Sequence, residues 1–176
     1  MDTLHIDIGS ASSIQAAIDA IETYKLELQQ KINDLVTSLV NEGVQVAALR
    51  VASTQGDSKL PDVDYEIDPQ GNIVKARIML IGKDVLFVEF GAGIAYNTGK
   101  QHPLAGELGY GPGTYPSENP PNKAINPGFW YYNTNDSAGT KYGTKSIGTE
   151  ATMPLYGALE SIRNNAIMRA VEIFRS

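Results

Sequence analysis

The chain has 176 residues, is 42% hydrophobic and 19% charged, and carries a net charge of −6. That length suits one domain burying about two-thirds of its unfolded surface. The negative charge argues against duplex binding driven by phosphate neutralisation and against an anionic membrane surface, and the lack of cysteine excludes a disulfide framework or a thiolate metal site.

The opening residues, MDTLHIDIGSASS, put an acid where a signal peptide carries bases and offer no apolar run. No stretch approaches the roughly 20 apolar residues of a spanning helix. A soluble protein made in the cytosol, with no membrane partner, is expected. Residues 12 to 42 read as one long helix: Ser12 and Gln15 form a capping-box pattern, and Gly43 supplies a stop. Its apolar side chains fall at Ile14, Ile18, Ile21, Leu28, Ile32, Leu35 and Leu39, with Lys25 filling the one gap. A rod of about 45 Å is longer than a compact domain needs. It can lie across a sheet, or extend its seam to a neighbouring subunit.

VQVAALRVAS (44 to 53) tilts towards a first strand through its β-branched residues, and 54 to 72 read as a polar stretch ending in the turn pair Gly71-Asn72. NIVKARIMLIG alternates, with Lys75 and Arg77 on one face and Val74, Ala76, Ile78 and Leu80 on the other, as a strand does. VLFVEF (85 to 90) is a second strand by propensity, or a short helix after Asp84. From Gly91 to Gly148 the chain holds 11 of its 17 glycines, six of its nine prolines and six of its nine tyrosines. Such a loop is commonly functional, and its aromatics argue against simple disorder, so an ordered arm at about 92–128 is expected. FWYY (129 to 132) and KYGTKSIG then pair as a hairpin. Thr152 or Met153 caps a last helix with Pro154 in its first turn and a stripe of Leu155, Leu159, Ile162, Ala166, Ala170 and Phe174. The fold class is α+β: a mostly antiparallel sheet packed by a long N-terminal helix and a C-terminal helix, with a long Gly/Pro/Tyr-rich loop.

Chemistry is thinly signalled. Glu89 and Glu107 could act as an acid pair of the glycosidase kind. Against that, Glu89 can simply accept backbone N–H bonds, for instance from the Gly91–Gly93 turn, or pair with Arg77. GAG lacks the third glycine and downstream acid of a dinucleotide fingerprint, so Gly91 and Gly93 read as turn formers. His102 has no third metal ligand nearby, and His-Pro reads as turn chemistry. No catalytic residues, metal or cofactor are expected. Tyr96, Tyr110, Tyr115, Trp130, Tyr131 and Tyr132 suit either sugar stacking or a protein interface. A glycan-binding module or glycoside hydrolase is therefore the alternative to an interaction protein.

The order FVEFGAGI, HPLAGELGYGPGTYP, GFWYY and GTKSIGTEATMPLYGALESI resembles the gene-product-ten-like tail-component family, minor virion proteins of long-tailed bacteriophages. The likeness covers residues 85 to 176 in detail. It rests on Val88, Glu89, Phe90, Gly91 and Gly93, then Trp130, then Ala151, Met153, Pro154, Leu155 and Ala158. Ala92 stands where that family commonly has Thr. The resemblance implies a single head–tail junction domain over 1–176. It implies a ring of copies, in the neck or in tail completion, bound to itself and to neighbouring connector, adaptor and tail proteins. DNA would pass through its channel without sequence-specific contacts. The expected location is the virion, after assembly in the host cytoplasm.

Overall fold

The computed structural model describes residues 6–56, 58–91, 102–105, 107–108, 130–132, 144–146 and 148–175. Its first element, α1 (Ala11–Ala52), is one unbroken helix of 42 residues, about 63 Å long. Ser10, not Ser12, is the N-cap: its backbone is extended and its side-chain oxygen accepts from the N–H of Ser13.

The expected stop at Gly43 and the strand at 44–53 are both incorrect. A Cβ at Gly43 would lie 2.6 Å from the Ile78 side chain and 2.8 Å from that of Ile162. This glycine is where two other elements close on α1. Its helix cost of roughly 1 kcal/mol is offset by that packing. The helix then continues through Ala47 and Val51, which follow Gly43 on the same buried face.

The polar stretch conceals a strand. β1 (Asp62–Gln70) alternates Val63, Tyr65 and Ile67 with acids, and pairs antiparallel with β2 (Ile73–Ile81), from Asp62 opposite Ile81 to Gln70 opposite Ile73. Gly71, at φ 59°, makes the two-residue turn between them. VLFVEF is α2 (Val85–Phe90), so the helical alternative holds and the strand does not. Asp84 precedes it, and its carboxylate accepts from the Lys59 N–H (2.8 Å). The hairpin expected across 129–148 is present as β3 (Trp130–Tyr132) paired antiparallel with β4 (Thr144–Ser146). α3 (Pro154–Arg175) begins at the expected proline.

α3 runs antiparallel to α1: Gly157 meets Arg50, Ile162 meets Gly43, and Asn165 and Arg169 meet Glu42. With the β1–β2 hairpin packed on the helices this is an α+β fold. Among the described residues the buried apolar ones are few: Val40, Ala47, Val51, Val88, Phe90, Ala105, Ala151 and Ala158, with Ala17 apart from them. They gather where the C-terminal end of α1, α2 and the start of α3 converge. Gly93, Tyr96, Tyr110, Tyr115 and most of the expected arm at 92–128 lie outside the described residues. Among the described residues, no helix is long and apolar enough to cross a membrane.

Candidate functional site

The convergence point is built around Glu89. Placed on α2, its side chain is buried and aimed at the first turn of α3. Oε2 accepts from the Leu155 N–H (2.9 Å) and Oε1 from the Tyr156 N–H (3.0 Å). A helix leaves its first N–H groups without intrahelical partners. Here Pro154 has none to offer, Glu89 takes the next two, and the Gly157 N–H already reaches Met153 O (2.9 Å). Glu89 is thus a cap supplied from another element. Met153, in the position before the helix, has no side-chain acceptor for the job and stands at φ 53°. A carboxylate at a helix N-terminus also meets the positive end of its dipole.

His102 completes the arrangement. It is buried, and its Nδ1 accepts from the Leu104 N–H (3.1 Å), so the ring proton sits on Nε2 and is donated to Glu89 Oε1 (3.1 Å). The imidazole packs against the rings of Phe90 (centroids 4.5 Å apart) and Tyr156 (5.1 Å, edge-on). Both carboxylate oxygens and both ring nitrogens are therefore engaged within the protein. An apolar cavity of about 270 Å³ lies beside them, lined by Leu86, Phe90, Leu104, Leu108, Leu155 and Leu159 among others.

The stretch leading into α3 is strapped down on its other side. Thr152 N–H donates to Val88 O (3.1 Å), Glu150 N–H to Gln55 O (2.9 Å), and the hydroxyls of Thr54 and Thr152 are hydrogen-bonded at 2.8 Å. Arg50 lays its guanidinium against Gly157 and donates to the carbonyls of Thr152 (3.1 Å) and Met153 (3.3 Å). A Cβ at Gly157 would stand 2.2 Å from Arg50 Nε. A Cβ at Gly91, which stands at φ 81°, would lie 3.1 Å from the Ala151 Cβ and 3.2 Å from the Ala151 nitrogen.

Of the residues singled out from sequence, Glu89, Gly91 and Pro154 come together here. Glu89 holds backbone, as one of the two sequence readings had it, though its partners are the N–H groups of α3 and not the Gly91–Gly93 turn. Arg77 pairs instead with Glu66, 3.3 Å away on the exposed face of the hairpin. Glu107 is exposed on a turn while Glu89 is buried, so the two acids occupy unlike surroundings. Trp130, Tyr131 and Tyr132 form β3. No group of three or more metal-ligating side chains occurs among the described residues. Sequence reasoning missed the Glu89–His102 bond, because thirteen glycine-rich positions separate the two and no periodicity links them. It missed Arg50 because that residue was assigned to a strand.

A second, half-buried polar group ties the C-terminal part of α1 to α3. Glu42 Oε1 accepts from Ser161 Oγ and Asn165 Nδ2, while Oε2 faces Arg169 Nε at 3.7 Å. The hydrogen bonds from Ser161 and Asn165, with the Arg169 charge, hold the Glu42 carboxyl below its ordinary value of 4.5. Compared with protein-family models, curated proteins and solved structures, the chain matches none.

Proposed function

We propose that this is a structural protein of a tailed bacteriophage that forms a ring at the head–tail junction, in the neck or in tail completion. It works through interfaces and not through catalysis. One observation supports this reading above the others. Among the described residues, large apolar side chains crowd the surface: Ile14, Ile18, Ile21, Leu26, Leu108, Leu159, Ile167, Met168 and Phe174 are all exposed, and the buried set is dominated by alanine and valine. A chain with this distribution gains by covering its surface with neighbours. The Glu89–His102 group adds support, since its polar atoms are spent on holding α3. The order of motifs from Glu89 to Pro154 points to the phage family.

In this reading, copies contact each other head to tail around a channel, flanked by connector and tail proteins, and DNA slides past an acidic chain. Electron microscopy of the purified protein, and of virions, is the test. Closed rings with a central channel are expected. A chain absent from virions that stays monomeric at high concentration overturns the proposal.

A further inference from the structure

From Gly43 opposite Ile162, the remaining 13 residues of α3 reach about as far as residue 30 of α1. Residues 11 to 30 therefore project roughly 30 Å beyond their helical partner. The apolar face does not end there. Ile14, Ile18, Ile21, Lys25, Leu28, Ile32, Leu35 and Leu39 follow one another at steps of 4, 3, 4, 3, 4, 3 and 4. That is a strict seven-residue repeat, the period of a helix that supercoils against another helix rather than one lying on a sheet. Further along, α1 turns Val40, Gly43, Ala47 and Val51 inward, where α3 and the hairpin close on it. On the projection the large side chains of the repeat are open, with Ile14 40% exposed, Ile18 44% and Ile21 60%, while the small Ala17 between them is buried. The side-chain hydrogen bonds there run along the helix itself, from Gln15 to Asp19, Thr23 to the Asp19 carbonyl and Gln30 to Asp34.

We propose that the projecting half of α1 pairs with the same segment of a second copy of this chain, as an antiparallel two-helix coiled coil. Charge selects the orientation. In a parallel, in-register pair the one polar seam residue, Lys25, would meet its own copy. In an antiparallel pair, Ile14 faces Ile32, Ile18 faces Leu28 and Ile21 faces Lys25, and each Lys25 ammonium comes beside Glu22 of the other copy. The overlap is bounded by the fold. Past Ile32, α3 occupies the flank of α1, and its exposed end, with Val171 and Phe174, lies where the tip of the partner helix arrives. A pair of this kind is isologous and closes on itself. It differs from the ring reading, whose head-to-tail contacts would then fall to the exposed Leu108, Leu159, Ile167 and Met168 and not to Ile14, Ile18 and Ile21.

The chain has no cysteine, so introduced thiols report geometry directly. Mixing Ile18→Cys with Leu28→Cys copies should give a disulfide-linked dimer on mild oxidation. Either variant alone should give none, because its own thiols sit about 15 Å apart along the axis. In sedimentation, Ile21→Asp should weaken dimerisation at least about a hundredfold, while urea unfolding of the dilute protein stays unchanged. Lys25→Glu should weaken it too, and Glu22→Lys in the same chain should restore it. A monomer at high micromolar concentration overturns the proposal. So does a disulfide in Ile18→Cys alone, or an oligomer indifferent to Ile21→Asp.

Discussion

From Val40 to Val51, α1 is covered by α3 and the hairpin, and Arg50 and Glu42 bind it to α3 through part-buried polar groups; from Ile14 to Leu28 its large apolar side chains lie open to solvent, with only the small Ala17 among them buried. One helix thus serves two purposes along its length. In the covered half the contacts are internal, and Arg50 and Glu42 Oε1 hold fixed hydrogen bonds to α3, so small changes of shape or charge should be costly. In the open half the large apolar side chains Ile14, Ile18 and Ile21 are exposed, and an isolated helical stretch of about 20 residues is only marginally stable in water. Its persistence as helix draws on continuity with the covered half and on whatever packs against its seam.

The sharpest way to break the contrast is at Glu89. Glu89→Ala removes the acceptor of two helix N–H groups and of His102 Nε2, all within the packed region. A loss of about 3–5 kcal/mol in urea unfolding is expected, in the range for breaking a buried charged group away from its partners. Glu89→Gln keeps the shape but turns an NH₂ towards one of those donors, and should cost about 1–3 kcal/mol. A glycosidase acid would instead lose activity with stability unchanged.

Next in size is Gly157→Ala. The added methyl occupies the space of the Arg50 guanidinium, which must then give up the carbonyls of Thr152 and Met153. The alanine gains roughly 1 kcal/mol of helix propensity, but overcrowding of this kind costs about 1–3 kcal/mol beyond it. Because the clash and the lost bonds share one side chain, Arg50→Ala and Gly157→Ala should be clearly less than additive in a double-mutant cycle.

These two sites also show what the sequence could and could not tell. Pro154 and the α3 stripe were legible because a helix start and a 3.6-residue period are local signals. The β3–β4 hairpin was legible for the same reason. Gly43 was not, since a glycine that admits another element looks, in sequence, like one that ends a helix. β1 was hidden by its acids: the alternation of Val63, Tyr65 and Ile67 was present, but the average polarity suggested a loop. For VLFVEF, apolar content fits a strand or a buried helix, and only the need to deliver Glu89 to α3 decides between them. The Glu89–His102 bond depends on chain closure over thirteen residues, which no local rule encodes.

A smaller effect comes from acid. The Glu42 carboxyl is held below 4.5 in the folded protein, chiefly by hydrogen bonds from Ser161 and Asn165. A depressed carboxylate stabilises the fold fully above its unfolded value, and that contribution is lost as pH falls through the folded one. Urea midpoints should therefore drop from pH 6 towards pH 3. Ser161→Ala should flatten that part of the curve, because it removes the largest cause of the depression. An unchanged slope in Ser161→Ala would mean that the α1–α3 seam is not where the acid sensitivity resides.

The smallest effect should come from the most drastic-looking substitution. Ile21→Asp puts a charge where an isoleucine stood, yet the residue is 60% exposed in the single chain and packs on no other described element's core. In dilute protein the unfolding free energy should move by no more than about 0.5 kcal/mol, as for surface sites away from any built feature. Val51→Asp, on the same helix but buried, should by contrast cost several-fold more, since its carboxylate would have neither water nor a partner. The comparison must be made at low concentration. If the projecting halves pair, binding adds to the apparent stability of the wild type as protein concentration rises, and Ile21→Asp would then fall behind it by a margin that grows with concentration. A difference already present at the lowest concentration would place Ile21 in the core of its own chain and erase the distinction between the two halves of α1.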